Sequence, residues 1–186
     1  MDPVRVVSGR VSVLDRADVD TDQIIPKQFL KRIERTGYGE FLFYDWARNG
    51  EVSLEPNPIL AAGRNFGCGS SREHAVWAIQ QFGFAAVVAP SFSDIFFANC
   101  TKNGLLPVAL PEEDVRALMT AGEATIDLGA QTVRFAGRTV SFDIDPGIKH
   151  RLLNGLDEIG LSLEHASEID AYERERMVPG PDTMAV

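Results

Sequence analysis

A glycine-rich turn between a predicted strand and a predicted helix constrains this sequence more than any other feature. Residues 62–74 read AGRNFGCGSSREH. The apolar run at residues 59–62 is typical of a buried strand, and Val76 and Ile79 follow the turn at helical spacing. Glycine permits a sharp bend and a close approach of the backbone to a ligand. The sequence therefore predicts a strand, a tight turn and a helix across residues 59–82.

The polar residues of this turn are suited to binding an anion. Backbone N–H groups at a helix start and the helix dipole attract negative charge, and Arg72 adds a positive charge. With Ser70 and Ser71 beside it, the turn predicts a carboxylate or phosphate site next to a hydroxyl that could be activated. The alternative is structural, because Ser70 and Glu73 also fit a capping box with Ser70 as N-cap. The pattern is not that of a P-loop, a dinucleotide fingerprint or a nucleophile elbow.

The composition is that of a globular chain and excludes several partners. The 186 residues are enough for one domain, which we expect at residues 1–176, followed by a flexible tail at 177–186. The formal net charge of -9 and the lack of a basic stripe argue against nucleic acid and anionic membranes. No apolar run reaches transmembrane length, and the N-terminus lacks the core of a signal peptide. We therefore expect a cytoplasmic protein.

The two cysteines, Cys68 and Cys100, limit the metal chemistry of the chain. Zinc and iron–sulfur sites usually take three or four thiolate or imidazole ligands, so two cysteines alone cannot hold one. Without a secretory signal, two free thiols are expected rather than a disulfide. We predict that this chain binds no metal.

The order of predicted elements indicates an α/β fold. Strands at 59–62, 84–89 and 105–110 alternate with the helix at 73–82 and a helix at 91–100 with Ser91 as N-cap, a pattern typical of parallel strands. The remaining predictions are one or two strands at 4–14 broken at Ser8-Gly9, a polar loop at 15–23, short helices around a flexible loop at 27–46, a helix at 111–121, strands near 124–128, 131–136 and 138–142, and helices at 147–154 and 167–176.

Several motifs together resemble those of a known family. They are DVDTDQIIP at 18–26, NFGCGSSREHA at 65–75, SFSDIF at 91–96, NGLLP at 103–107 and LNGLDEIGL at 153–161. In this order they resemble the small subunits of bacterial 3-isopropylmalate dehydratase, which form the swivelling domain of the aconitase superfamily. The resemblance covers roughly residues 5–175.

The resemblance implies a fold, a reaction and a partner. The fold is a three-layer β/β/α swivelling domain like the C-terminal domain of aconitase. The reaction is the interconversion of 2-isopropylmalate and 3-isopropylmalate by dehydration and rehydration, in leucine biosynthesis. A [4Fe-4S] cluster on a separate large subunit, in a heterodimer or heterotetramer, binds the hydroxyl and a carboxylate of this small dicarboxylate. The shortage of cysteines agrees with a cluster held by another chain.

The resemblance also assigns roles to residues of this sequence. Ser70 matches the serine that removes the carbon-bound proton as an alkoxide, and Asp22 matches an active-site aspartate. Ser71 and Arg72 would hold a substrate carboxylate, since the planar guanidinium pairs with both oxygens. The substrate-recognition segment of the family maps onto Lys31, Arg32 and Arg35. In the same segment we expect Leu30, Ile33 and Tyr38 to reach an isopropyl group, Thr21 is expected to brace the Asp22 loop, and Cys68, where aconitases carry an acidic residue, is assigned no chemistry.

Two other functions remain compatible with these residues. The first is the small subunit of a sister hydro-lyase acting on 2-methylmalate and citraconate, homoaconitate or dimethylmaleate, which only the 27–46 loop could distinguish. The second is a non-catalytic anion-binding module that kept the fold. The simultaneous presence of Asp22, Ser70, Ser71 and Arg72 argues against the second. The sequence alone does not give the preferred 2-alkylmalate or the stoichiometry of the holoenzyme.

Overall fold

The structure, a computed structural model, describes residues 1–32 and 34–175 and combines helices with a seven-stranded sheet. In chain order its elements are β1 (Val6–Leu14), α1 (Thr21–Ile24), two 3₁₀ helices (Lys27–Lys31 and Gly39–Phe41), α2 (Tyr44–Arg48), β2 (Ile59–Ala62), α3 (Glu73–Phe82), β3 (Ala86–Ala89), α4 (Asp94–Asn103), β4 (Leu106–Ala109), α5 (Glu112–Ala121), β5 (Glu123–Asp127), β6 (Thr132–Phe135), β7 (Arg138–Ser141), α6 (Pro146–Asn154), α7 (Glu158–Leu163) and α8 (Ala166–Glu175).

Strand β1 runs through the middle of the sheet and changes its partner halfway along. Residues 6–10 pair antiparallel with β5, whereas residues 11–14 pair parallel with β2. The strand order is β4-β3-β2-β1-β5-β6-β7, in which β1 to β4 are parallel and β5 to β7 continue as antiparallel hairpins. Gly9 lies just before the change of partner with φ of 148°, and a Cβ atom there would lie 2.7 Å from Cγ of Pro58. One strand therefore belongs to both a parallel and an antiparallel half.

Alternate residues of the parallel strands face two separate cores. Leu60 and Val87 pack in a core beneath α3 and α4, whereas Ile59 and Val88 pack in a second core against β5, β6 and α5. All the residues of β2 and β3 are buried, as expected of strands that are covered on both faces. The layers are thus an antiparallel sheet, a parallel sheet and a layer of helices, which confirms the predicted α/β class and three-layer β/β/α architecture.

The alternating central segment was predicted correctly. Helix α3 has the predicted bounds, and β2, β3 and β4 pair in parallel in that order. The three short strands β5, β6 and β7 lie within one residue or so of their predicted positions. The predicted tail at 177–186 lies outside the described residues, and the single domain at 1–176 stays a prediction. Within the described ranges, no helix has the length and apolar character that crossing a membrane requires.

Four details of the prediction were wrong. Strand β1 is continuous, because the extended backbone passes through Ser8-Gly9 while only the partner strand changes. The predicted polar loop at 15–23 contains α1, whose N-cap is Asp20. Helix α4 begins at Asp94 with Ser93 as N-cap, and the Ser91 hydroxyl instead accepts a bond from the backbone N–H of Asn65. The short helix α7 was not predicted.

Candidate active site at the glycine turn

The turn between β2 and α3 leaves the Ser70 side chain uncommitted. Helix α3 begins at Glu73, and its N-cap is Arg72, which makes no side-chain capping bond. The alternative of a capping box with Ser70 as N-cap is therefore wrong. Ser70 and Ser71 are exposed, and the Ser70 hydroxyl makes no hydrogen bond to any residue that the structure describes. The hydroxyl is consequently free to act on a ligand.

The backbone of the turn is fixed by the segment that leads into α1. The N–H groups of Gly67 and Cys68 both donate to the carbonyl of Val19, at 2.9 and 3.1 Å. Thr21 donates two further hydrogen bonds to the turn. Its backbone N–H donates to the Cys68 carbonyl and its hydroxyl donates to the Ser70 carbonyl, each at 2.9 Å. Thr21 thus braces the position of Ser70, whereas the sequence analysis expected it to brace the Asp22 loop.

Gly69 allows these two segments to approach each other. Its φ is 90°, a conformation that side chains with a Cβ rarely adopt, and a Cβ atom there would collide with the carboxylate of Asp20. The Asp20 carboxylate caps α1, because it accepts a hydrogen bond from the backbone N–H of Asp22 at 2.6 Å. The side chain of Gln23 accepts a second bond from the backbone N–H of Asp20 at 2.8 Å. Asp20 and Gln23 form a capping box, the signal in the sequence from which α1 could have been predicted.

Helix α1 places Asp22 against Arg72. Oδ1 of Asp22 forms an ion pair with Nη1 of Arg72, and Oδ2 lies 3.4 Å from Nζ of Lys27. The Arg72 side chain is only 9% exposed, whereas that of Asp22 is 39% exposed. Because a buried guanidinium without a counter-charge is costly, Asp22 fixes the position of Arg72. The structure therefore brings together two residues that are 50 positions apart in the sequence and that were both predicted to belong to the site.

Helix α4 supports the other side of the turn through two asparagines that the sequence analysis did not single out. Nδ2 of Asn99 lies 3.4 Å from the hydroxyl of Ser71 and donates to it. The amide of Asn103 donates to the Glu73 carboxylate at 2.9 Å, and its oxygen accepts from the indole N–H of Trp77 at the same distance. The only sequence signal for this network is the NGLLP motif that begins at Asn103. These bonds hold the start of α3 against α4.

Two titratable groups near Ser70 have shifted pKa values. Burial lowers the pKa of His74, and the adjacent Arg72 lowers it further, although Glu73 opposes both effects. The His74 ring packs against the rings of Tyr38 and Trp77, with centroids 5.3 and 4.8 Å apart. His74 is therefore a neutral, packed side chain near neutral pH.

Cys68 has its pKa raised, first by burial and then by the charges of Asp20 and Asp18. The thiol is therefore protonated near neutral pH, and it is a poor nucleophile, because the thiolate is the reactive form. This agrees with the absence of an assigned chemical role for Cys68.

Within the loop that was predicted to recognise the substrate, Lys27 contacts Asp22, whereas Lys31 and Arg32 are separate from the site. Lys31 and Arg32 are exposed, and no contact between either of them and Ser70, Asp22 or Arg72 occurs in the described part of the chain. Arg32 lies 5.0 Å above the Phe41 ring and 3.9 Å from the Glu40 carboxylate.

The apolar residues that were expected to reach an isopropyl group are Tyr38, Leu30 and Ile33, and the first two pack against the core. Tyr38 is completely buried and packs in the core with α3, so the expectation that it contacts a substrate was wrong. Leu30 is partly buried against the same core. Ile33 lies outside the described residues. Tyr38 was misassigned because a glycine-flanked tyrosine is typical of a mobile loop, whereas here its backbone N–H donates to the side chain of Gln81 at 2.8 Å.

In residues 1–32 and 34–175, no group of side chains fits an iron–sulfur cluster. Cys68 and Cys100 are both free thiols, and Cys100 is completely buried, which raises its pKa well above the ordinary value. Among the described residues, no three histidine, cysteine, aspartate or glutamate side chains lie close enough together to hold a metal ion. The residues present therefore do not suit a cluster bound by this chain.

Comparisons with known proteins identify relatives of nearly the same length. Residues 52–113 match a family model described as the aconitase C-terminal domain, and residues 158–178 match one described as the C-terminal domain of the 3-isopropylmalate dehydratase small subunit. The chain is 52% identical over 187 residues to a 3-isopropylmalate dehydratase small subunit from Rubrobacter xylanophilus, covering 95% of this chain and 96% of that protein. The corresponding protein of Bacillus subtilis is 48% identical, with 95% and 97% covered.

A solved structure extends this similarity to the fold. A crystal structure of 3-isopropylmalate dehydratase from Methanocaldococcus jannaschii superposes with a TM-score of 0.71 at 28% sequence identity. The match covers 90% of this chain and 99% of the other.

Proposed function

This chain belongs to the family of 3-isopropylmalate dehydratase small subunits, and on that premise we propose how its residues take part in the reaction. Family membership makes it the small subunit of a hydro-lyase of leucine biosynthesis, which acts together with a large subunit. The proposal concerns the residues that act and what the partner supplies. It rests above all on one observation, the exposed and unbonded hydroxyl of Ser70 on the same turn as the buried Arg72.

Arg72 and Ser71 hold one carboxylate of the substrate. Nη1 of Arg72 faces Asp22, and the rest of the planar guanidinium makes no bond with the described residues, so that it can pair with a carboxylate. Ser71 adds a hydroxyl that Asn99 orients. Binding the carboxylate at two points fixes the neighbouring carbon relative to Ser70, and this orientation removes much of the entropy cost of the reaction.

Ser70 removes the proton from the carbon next to that carboxylate. Hydroxide leaves the neighbouring carbon, so that the elements of water are lost and an unsaturated dicarboxylate forms. Water then adds back in the opposite sense. Its hydroxyl joins the carbon that lost the proton, and Ser70 returns the proton to the carbon that lost the hydroxide. A serine is a weak base, but the positive charge of Arg72 and the N–H groups at the start of α3 favour its alkoxide. Exclusion of water, once the exposed turn is enclosed by the large subunit, would strengthen these interactions.

The large subunit supplies the part of the site that this chain lacks. We propose that it carries a [4Fe-4S] cluster, which provides a Lewis acid for the departing hydroxide when bound, and that the catalytic unit is a heterodimer or a multiple of one. The shortage of suitable ligands in the described residues supports this division. Two free thiols are compatible with a reducing compartment, so we place the assembly in the cytoplasm.

The loop at residues 27–46 carries the substrate preference. We propose that the exposed Lys31 and Arg32 border the substrate side group once the large subunit is bound, with Leu30 nearby on the same 3₁₀ helix. An apolar pocket discriminates alkyl groups by only about 1–3 kcal/mol per methylene, so residual activity on 2-methylmalate is expected.

Reconstitution tests the division of labour. The chain is purified alone and together with the large subunit of a 3-isopropylmalate dehydratase, and conversion of 2-isopropylmalate to 3-isopropylmalate is followed. We expect this chain alone to be colourless and inactive, and the mixture to be active and iron-dependent. Activity of this chain alone, in the absence of iron, would refute the proposal.

A further inference from the structure

Lys27 begins the first 3₁₀ helix, three residues after the end of helix α1, which carries Asp22. Ile25 and Pro26 are buried, so the backbone that enters the 3₁₀ helix at Lys27 is anchored to the core. From this anchored position the side chain turns back toward α1, where its ammonium nitrogen lies 3.4 Å from Oδ2 of Asp22. The backbone of Lys27 is therefore fixed close to Asp22, while its exposed side chain keeps some freedom.

Asp22 joins the charges of Lys27 and Arg72 through its two oxygens. Oδ1 faces the guanidinium of Arg72 and Oδ2 faces the ammonium of Lys27, so both cations lie within the span of one carboxylate. With the neighbouring carboxylate of Asp20, whose Oδ1 accepts from the Asp22 N–H at 2.6 Å, the two positive and two negative charges of this place balance, although the chain as a whole carries -9. An anion is therefore repelled less here than by the rest of an acidic protein, and it meets two cations.

The two cations are exposed to different degrees. The Arg72 side chain is 9% exposed, whereas the Lys27 side chain is 74% exposed. A separation of 3.4 Å is long for a hydrogen bond, and an ammonium group has three donors, so the contact with Asp22 leaves Lys27 free to bind a second oxygen. An exposed pair of this kind contributes little to stability.

We propose that Lys27 binds the same substrate carboxylate as Arg72, approaching it from the solvent side while Asp22 holds both cations in place from behind. This assignment rests on the proposed function, since it takes the substrate to be the dicarboxylate bound at Arg72. It differs from the roles of Lys31 and Arg32, which make no contact with Asp22 or Arg72 among the described residues. The substrate carboxylate is then bound by the planar guanidinium of Arg72 on one side and by the more mobile ammonium group of Lys27 on the other.

Kinetics of the reconstituted holoenzyme test this role, with Lys102 as the matched control. Lys27→Gln removes the charge and keeps most of the aliphatic chain. Lys102→Gln does the same at another exposed lysine, whose ammonium nitrogen lies 3.2 Å from the carboxylate of Glu158 on α7. For Lys27→Gln we expect KM for 2-isopropylmalate to rise about 10- to 100-fold, the range for losing a hydrogen bond to a charged group, with kcat nearly unchanged. Lys27→Arg should restore most of the loss. Lys102→Gln should leave KM unchanged.

Ionic strength gives a second readout that a structural role would not move. Salt screens an exposed charge, so KM of the wild-type enzyme should rise with added salt more steeply than KM of Lys27→Gln. Equal KM values for the Lys27→Gln and Lys102→Gln enzymes would overturn the proposal. It would also be overturned if Lys27→Gln weakened binding of the large subunit while KM at saturating large subunit stayed normal. Failure of the proposed function looks different, because the wild-type holoenzyme itself would then not convert 2-isopropylmalate.

Discussion

The hydroxyl of Thr21 donates a hydrogen bond of 2.9 Å to the backbone carbonyl of Ser70, and Thr21 is only 1% exposed. The bond joins the start of α1 to the glycine turn across 49 residues of sequence. It fixes the main chain of Ser70 while leaving the side chain free. The proposed base therefore has a rigid backbone and an available hydroxyl.

Thr21→Val should loosen this connection. Valine has nearly the shape of threonine but no donor, so the Ser70 carbonyl loses its partner in a poorly solvated place. We expect the free energy of unfolding to fall by about 1–3 kcal/mol and kcat to fall with it, because Ser70 is less well positioned. Thr21→Ser keeps the donor and is the control. Chemical denaturation and steady-state kinetics of the reconstituted enzyme check both, and equal kcat values for wild type and Thr21→Val would show that the bond does not position Ser70.

Ser70→Ala should abolish most of the activity without affecting stability. Removing a proton acceptor typically costs about 10²- to 10⁴-fold in kcat, while KM should change little. The melting temperature should stay the same, because the Ser70 hydroxyl makes no bond to the described residues and caps no helix. Ser167→Ala, at an exposed serine on α8, is the matched control. A variant that loses stability but keeps kcat would assign Ser70 a structural role.

Arg72→Lys should impair both binding and turnover. Lysine keeps the charge but loses the planar fork that pairs with Asp22 and that we propose binds the substrate carboxylate. We expect KM to rise strongly and kcat to fall about a hundredfold, since a displaced carboxylate displaces the reacting carbon. The comparison is Arg64→Lys, an exposed arginine of the same turn whose guanidinium lies 3.6 Å from Asp18. Near-normal kinetics of Arg72→Lys would mean that its charge alone suffices.

His74 should make the protein less stable in mild acid. Its pKa in the folded state is lowered from the ordinary 6.5, first by burial and then by Arg72, so below about pH 6.5 the unfolded chain binds the proton more readily than the folded chain. The free energy of unfolding should therefore fall as the pH drops from about 6.5 toward the lowered pKa. Above about pH 6.5 His74 should make no contribution to the pH dependence. In His74→Gln this part of the pH dependence should be missing. Urea unfolding at about pH 7 and about pH 5.5 measures it, and identical losses in the two proteins would contradict the prediction.

Cys68 should be a slow and dispensable thiol. Burial and the charges of Asp20 and Asp18 raise its pKa, so little thiolate exists near neutral pH. Alkylation by iodoacetamide, followed by mass spectrometry, should be slower than that of glutathione at the same pH. Cys68→Ala should retain activity within about a factor of two. Rapid alkylation accompanied by loss of activity would instead indicate a thiolate with a role in the site.

Local patterns predicted the framework of the site but not its connections. The strand, glycine turn and helix at residues 59–82 follow from apolar spacing and from glycine, which are properties of neighbouring residues. The contact between Asp22 and Arg72 is a tertiary one, and without the family resemblance nothing in either segment indicates the other. Ser70 was a plausible N-cap by spacing, yet the turn continues to Arg72 while Thr21 binds the carbonyls of Cys68 and Ser70.

Misassigned residues share a physical cause. Ser91 and Ser93 both precede α4 and both can cap a helix, and only the fold decides that Ser91 accepts from Asn65 while Ser93 caps. Tyr38 lies between two glycines, which indicates mobility, but the close approach of Gly39 to the backbone of Gln81 carries the tyrosine into the core. In each case a long-range contact overrode the local preference.

The change of partner along β1 has a consequence for how the chain folds. Strand β1 needs β2, some 50 residues later, for one half and β5, more than 110 residues later, for the other. Closing such distant pairs is slow, and until β5 is made, half of β1 presents unpaired backbone groups. We therefore expect a nascent chain stopped before β5 to remain prone to aggregation, with protection arriving only when residues 123–127 have been synthesised.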